Sequence, residues 1–408
     1  MSADMPLSGI KVLDMSRLFA GPLATQMFGD FGADVYKIER PGRGDEFRHY
    51  GPPFLKDADG NMSPSAPEGC GYLAVNRNKK SVTIDFSKPE GAELVREMAR
   101  TCDVFVENYK VGTMARYGLD YESIRAVNPS IIYLSVSGFG QTGPYAKRPG
   151  TDIAFQAMSG LMSVTGEPDG APTRSGVVLS DMLTGFYATI ALLVALRRRE
   201  AQGEGAQYID VALLDSSISA MSTHALDYFL TRKTPERTGV RIKGSVPAGI
   251  FDCSDGQLTV QASGEDDFRT LCRLLDLPGL PEDPRFATRV DRVHHVDELL
   301  PILEARFATG TVIEWYELLV EAGLICAPVY TFDQALNDPQ VRHLKVTTKV
   351  PHPLVGELEI LTNPIRLSGV DFKYSAPPPL GQDTDAVLGE AFGIAGDRLT
   401  ELRAANIL

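Results

Sequence analysis

The chain has 408 residues, 43% hydrophobic and 23% charged, with 38 Gly and 27 Pro. That composition is too apolar for a disordered chain and too unbiased for a fibrous one, and the length suits two or three domains with one sizeable core. Forty Lys and Arg against 53 Asp and Glu leave a net charge of −13, which disfavours general binding to nucleic acid or an anionic membrane surface but allows a local basic pocket.

Met1 to Pro6 has no basic n-region and no long apolar stretch, so no signal peptide is read. Ile10 to Met15 reads as a short apolar strand, Pro22 to Phe31 as a helix and Asp34 to Glu39 as a second strand. Strand Val82 to Phe86 precedes helix Lys88 to Arg100, whose first turn holds Pro89 and Glu90 as helix starts prefer. Asp103 to Glu107 and Ile131 to Val136 are two more apolar strands. This alternation predicts an α/β fold with a parallel sheet covered on both faces. Met182 to Leu196 is near-apolar but falls short of the roughly 20 residues of a membrane span, so it reads as a buried helix.

A polar stretch, Glu200 to Gln207, reads as a connection, and Tyr208 to Leu230 as helix-like. From Thr238 to Ser263 the pattern turns to short strands around Cys253-Ser254-Asp255-Gly256, with helices at Glu265 to Leu275 and Val296 to Phe307. This predicts a second, smaller α+β domain over 225–329, a large domain over 1–205, and a connecting helix over 206–224. Leu354 to Leu367 is strand-like, and a Pro-rich spacer, Ala376 to Pro379, leads to a helix at Thr384 to Phe392. The five cysteines, Cys70, Cys102, Cys253, Cys272 and Cys326, are far apart and lack CxxC spacing; they read as reduced thiols of a cytoplasmic protein.

Gly138-Phe139-Gly140-Gln141-Thr142-Gly143 matches a dinucleotide fingerprint, but Arg148-Pro149-Gly150 breaks any helix that would present its N-terminus to a pyrophosphate. A Gly-rich ligand or turn loop is the better reading. The six His are scattered, and no HExxH, GxSxG or P-loop is present, so no metal site is expected.

Asp181 stands at the start of the apolar helix. An Asp there commonly serves as N-cap. The same helix terminus favours an ionised carboxylate and supplies N–H groups to an oxyanion, which is what a carboxylate nucleophile requires. Basic residues cluster beside the early strand ends: Lys37, Arg40, Arg43, Arg48, Lys79, Lys80 and Arg116. Ligands of open α/β sheets bind outside the carboxyl ends of strands, so these cations suggest a small polyanion such as a nucleotide.

Taken together, Gly9 to Asp14, Ala20-Gly21-Pro22, Phe31 to Val35, Lys37 to Gly42, Asn76 to Ser81, Val106 to Tyr109, Gly138 to Pro144, Gly166-Glu167-Pro168 and Leu380 to Asp385 resemble the class III CoA-transferases, the family of formyl-CoA:oxalate, carnitine and bile-acid CoA-transferases. The resemblance runs from Leu7 to the C-terminus, in order. It is nearest to the succinate–hydroxymethylglutarate type, partly through Gly244-Ser245-Val246-Pro247.

The resemblance implies a Rossmann-like large domain rejoined by residues 330–408, an interlocked homodimer, and coenzyme A or acyl-CoA as substrate with no permanently bound cofactor. Phe19 and Ala20 would contact the ligand at the first βα turn. Arg40 would face adenosine or its phosphates, and Ile84, Asp85, Phe86 and Ser87 would line the adenine pocket. Asn108, Tyr109 and Lys110 would add contacts, with Arg116 and Lys147 on phosphates. The nucleophile would be Asp181, passing through an aspartyl anhydride and an aspartyl-CoA thioester. The formyl-CoA enzymes carry Gln where Phe19 stands and a longer glycine loop than Gly244 to Gly249, which points away from oxalate or formate. A dicarboxylate acid is expected instead, with Arg241 and Lys243 beside the Gly244 turn. The alternatives are an α-methylacyl-CoA racemase, whose family His position holds Thr151 here, and a CoA-binding protein without turnover.

Overall fold

The computed structural model describes residues 5–408, so Met1 to Asp4 of the N-terminal reading lie outside the described residues. The chain divides into two compact units: residues 1–161, 174–226 and 345–408 form the first, and residues 162–173 and 227–344 the second.

The first unit is built on a six-stranded sheet: β1 (Lys11–Asp14), β2 (Asp34–Glu39), β3 (Lys80–Thr83), β4 (Val104–Glu107), β5 (Ile132–Ser137) and β6 (Gln207–Ala212). The order is β3-β2-β1-β4-β5-β6 and every pairing is parallel. This doubly wound arrangement places the switch point between β1 and β4. Strands β4 and β5 are buried along their whole length, as strands covered on both faces must be.

Four helices matter for the site: α1 (Ala20–Asp30), α2 (Pro89–Ala99), α3 (Asp152–Met158) and α4 (Leu179–Gln202). One apolar layer joins α2 to β1, β2 and β4 through Leu94, Val95, Met98, Leu13, Tyr36 and Phe105. The other joins α1 and α4 to the opposite face through Ala24, Phe28, Ala188, Leu192 and Val35. By length and composition α4 could cross a membrane. Its buried face instead packs in this core, although Phe186, Ile190 and Val194 lie exposed on the other side, so the helix is half-buried where the apolar run suggested full burial.

Three expectations are corrected. Residues 207–212, read as the start of a helical connection, form β6, because Ile209 and Val211 continue the sheet beside β5. The helices follow at Leu213–Ser219 and Ser222–Thr231. Strand β3 ends at Thr83, so Ile84 to Ser87 lie just past a strand end. The strand-like stretch near 354–367 is the second arm of a hairpin, Thr347–His352 with Gly356–Leu361. The C-terminal segment is tied to the first unit, where the Ser81 N–H donates to Asp383 Oδ2 at 2.9 Å and the Asp85 N–H to the Ile407 carbonyl at 2.7 Å.

The second unit carries a three-stranded antiparallel sheet, β7 (Ala248–Asp252), β8 (Gln257–Gln261) and β9 (Ile325–Pro328), in that order. Phe251, Leu258, Val260, Phe268, Phe307 and Leu319 form its separate core.

Candidate active site

Strand β1 ends at Asp14, and the turn Met15 to Phe19 leads into α1. Leu18 sits at φ +62°, in the left-handed region that an ordinary side chain disfavours. Several bonds hold it there. The Arg17 N–H donates to Asn108 Oδ1 at 2.8 Å, Asn108 Nδ2 donates to the Arg17 carbonyl at 2.6 Å, and the Leu18 N–H donates to Asp45 Oδ1 at 3.1 Å. Asn108, expected on coenzyme A, therefore spends its amide on the Arg17 backbone.

Below this turn lies a fully buried charge lattice. Lys79 reaches Asp14 at 2.9 Å, Lys37 reaches Asp45 at 2.8 Å, and Arg48 grips Glu39 through Nε and a terminal nitrogen at 2.8 and 2.7 Å. Burial alone would raise Asp14 and Glu39. The Lys79 and Lys37 charges hold Asp14 at about 2, and Arg48 holds Glu39 at about 2. Lys37, Arg48 and Lys79, expected as cations open to a ligand, are instead consumed in structure.

Asp181 is not an N-cap. It is the third residue of α4, whose N-cap, Val178, makes no side-chain cap bond. The orphan amides of that turn are met from α3: Asp152 Oδ1 accepts the Ser180 N–H at 2.8 Å and the Asp181 N–H at 3.4 Å. The Asp181 carboxylate is thus left for other work. Gly185, one turn on, brings α4 against α1, since a Cβ there would stand 2.8 Å from Leu23 Cδ2 and 3.0 Å from the Ala20 carbonyl oxygen. At the start of α1 the Ala20 amide faces the Asp181 carboxylate and favours its charged form. Burial, then the neighbouring Asp152, push the Asp181 carboxyl up to about 7, with the Ala20 amide opposing them.

At the carboxyl ends of β1 to β4 a cavity of about 250 Å³ is lined by Arg17, Arg40, Arg43, Ile84, Asp85, Phe86, Ser87 and Tyr109, among others. Six expected contacts meet here: Arg40, Ile84 to Ser87 and Tyr109. Arg17, which the sequence reading passed over, stacks its guanidinium 4.1 Å from the Tyr109 ring centre. Arg40 and Arg43 are exposed and make no ion pair among the described residues. Phe19, Arg116 and Lys147 do not line this cavity, and Lys110 lines a separate one with Glu107 and Tyr208. Burial pushes Glu107 up to about 7, against bonds from Ser135 and the Tyr109 N–H.

The glycine loop after β5 runs without helix until Asp152, so it offers no helix N-terminus to a pyrophosphate. No group of three or more His, Cys, Asp or Glu is arranged to hold a metal among the described residues. In the second unit a cavity of about 230 Å³ is lined by Arg237, Arg241, Lys243, Val246 and Leu300. Arg237 is committed to the carbonyls of Glu167 and Gly170, whereas Arg241 meets Asp297 only at 3.5 Å, with half of its side chain exposed.

Residues 7–384 match the pattern of the family described as CoA-transferase family III. The chain is 38% identical over 404 residues to the human succinyl-CoA:glutarate CoA-transferase, covering 99% of this chain and 90% of that one. It is 39% identical over 388 residues to the succinate–glutarate CoA-transferase of Agrobacterium fabrum, covering 94% and 95%. A solved CAIB/BAIF family protein from Brucella suis superposes with a TM-score of 0.86 at 36% identity, over 95% of this chain and 99% of the other.

Proposed function

The chain belongs to CoA-transferase family III and is an acyl-CoA:carboxylate CoA-transferase, and from that premise we propose that it exchanges coenzyme A between dicarboxylic acids through covalent catalysis by Asp181. The observation that carries the mechanism is the Asp181 carboxylate itself: unused as a cap, facing the Ala20 amide at the start of α1, and within a few residues of the tight α1–α4 contact. The acids named for the human and Agrobacterium relatives, succinate and glutarate, supply the substrate class.

Asp181 attacks the thioester carbonyl; its O–C bond forms, the C–S bond breaks, and the electron pair leaves on the coenzyme A thiolate. The thiolate then attacks the aspartyl carbonyl of the mixed anhydride, releasing the donor acid as a carboxylate and leaving an aspartyl-CoA thioester. The incoming carboxylate repeats these two steps in reverse. No net proton moves. The cations of the cavity beside Tyr109 hold the phosphates of coenzyme A, with the adenine against Ile84 to Ser87.

A second copy of the chain completes the enzyme in this reading. Phe186, Ile190 and Val194 on α4 are exposed, and the helix Ser222–Thr231 has no buried residue although Leu226, Phe229 and Leu230 are on it. Faces of this kind are covered in an oligomer. Light scattering should give about twice the 44.3 kDa chain mass, and a monomer at all concentrations removes the dimer.

The function is tested by offering succinyl-CoA with succinate, glutarate, oxalate, itaconate and monocarboxylates. Transfer to the C4–C5 dicarboxylates supports the reading; transfer to monocarboxylates alone overturns it. The covalent step is tested by incubating the enzyme with acyl-CoA and hydroxylamine, which should leave a hydroxamate on the peptide containing Asp181.

A further inference from the structure

Asp152 takes no part in the steps above, yet its carboxylate is buried and engaged on both oxygens. Oδ1 accepts the Ser180 and Asp181 amides, and Oδ2 accepts Gln156 Nε2 at 2.6 Å. Gln156 is fixed in turn, with its Oε1 accepting the Ser175 N–H at 2.8 Å. A neutral acceptor would satisfy the same two backbone amides. The ionised group does this and also sets a second negative charge beside Asp181.

We propose that Asp152 is a positioning residue for Asp181: it anchors the first turn of α4 and, through its charge, disfavours the resting nucleophile carboxylate until that charge passes to the departing thiolate. The inference rests on Asp181 being the nucleophile. The groups facing Asp181 leave little else to set its field. From α1 the Ala20 amide faces it, and α1 carries no charged residue before Asp30 at its far end. From α3 it meets Asp152. On α4 the next charged residue is Arg197, and the helix Leu213–Ser219 bears only Asp215, which is exposed. No ion pair reaches Asp152 or Asp181 among the described residues.

The consequence follows from where charge sits. Two adjacent carboxylates repel in the free enzyme. When Asp181 bonds to the acyl carbon and the C–S bond breaks, the negative charge moves onto sulfur and the repulsion ends. Asp181 stays esterified as anhydride or thioester, without charge, in both covalent intermediates. The Asp152 field therefore opposes only the resting state and favours acylation. It also makes Asp181 a more basic, and so stronger, nucleophile once ionised.

The test is the pH profile of single-turnover acylation at Asp181, read by hydroxylamine trapping. Wild-type enzyme should show an acid limb near pH 7, because burial and Asp152 hold the carboxyl at about 7. In Asp152→Asn the amide oxygen still accepts the two α4 amides, so the melting temperature stays close to wild type. The limb should move down by about one unit or more, while acylation at pH 8.5 slows by roughly ten-fold. The new amide nitrogen would face Gln156 Nε2, so Asp152→Asn/Gln156→Glu is the second variant. There the introduced carboxylate accepts from both the introduced amide and the Ser175 N–H, and the charge sits one turn farther from Asp181, giving an intermediate limb. A limb moving by less than about 0.3 unit in a variant that melts like wild type overturns the proposal and leaves Asp152 as a cap alone. Absence of any Asp181 hydroxamate in the wild type overturns the nucleophile instead, so the two failures are distinct.

Discussion

Under the turn into α1, the buried carboxylates Asp14, Glu39 and Asp45 each touch a buried cation, while at the start of α4 Asp152 and Asp181 lie side by side with no ion pair among the described residues. Both regions hold acids away from water within the same unit, and burial alone would raise Asp14, Glu39 and Asp181. Pairing takes Asp14 and Glu39 down to about 2, whereas the like charge of Asp152 helps to take Asp181 up to about 7. Asp14 and Glu39 stay charged and are architectural. Asp181 is held where gaining or losing charge is easy, which is where chemistry is found.

The largest expected effect breaks the second region alone. Asp181→Asn removes the group that forms the anhydride and should lower turnover by about four orders of magnitude. Its fold should hold, because Asp152 and not Asp181 caps α4. The sign of the pH effect is fixed by linkage: a carboxyl raised from 3.8 to about 7 contributes stability that is present below pH 4 and lost as pH rises through 7. The melting temperature of Asp181→Asn should therefore come closest to wild type near pH 4 and exceed it at pH 8.5. A variant that loses stability at pH 8.5 would place Asp181 in the architecture.

The first region should fail in the opposite way. Lys79→Met leaves Asp14 buried and charged, and Arg48→Met does the same to Glu39; each should cost about 3–5 kcal/mol, measured by urea unfolding. Activity should follow the folded fraction, without a specific rise in the KM of either substrate. Stability unchanged by either substitution would show that the lattice is open to solvent.

How far the sequence exposed these differences depended on whether a residue's role is local. The β1–α1–β2 unit and helix α2 were legible because apolar period, Pro89 and Glu90 act within a few residues. Strand β6 was not, since its partner β5 lies about 70 residues away and its alternating half-exposed pattern resembles a helix start. Asp181 was legible through family resemblance, but its place in the helix was not. The cap comes from Asp152, 29 residues earlier, and a cap across such a distance leaves no spacing to read. The same holds for Lys37, Arg48 and Lys79: as sequence they are cations near strand ends, and only the fold shows that Asp45, Glu39 and Asp14 absorb them. Arg40 and Arg43 have no such partner among the described residues, and nothing local distinguishes them from the three that do.

The smallest expected effect falls on that distinction. Arg40 and Arg43 line the cavity beside Tyr109, exposed and unpaired among the described residues, so they are positioned to meet phosphates in water. Contacts between exposed charges are worth about 1 kcal/mol or less each, because solvent screens them. Arg40→Ala and Arg43→Ala should each raise the KM for acyl-CoA roughly two- to five-fold, with kcat and the melting temperature close to wild type. The loss should shrink as salt rises from about 0.05 to 0.5 M, since the wild-type attraction is itself screened over that range. The KM of the free dicarboxylate should stay constant, because the acid carries no nucleotide. Equal changes in both KM values, or a fall in melting temperature, would mean that these two arginines belong with Arg48 in the architecture and that the phosphates are held elsewhere.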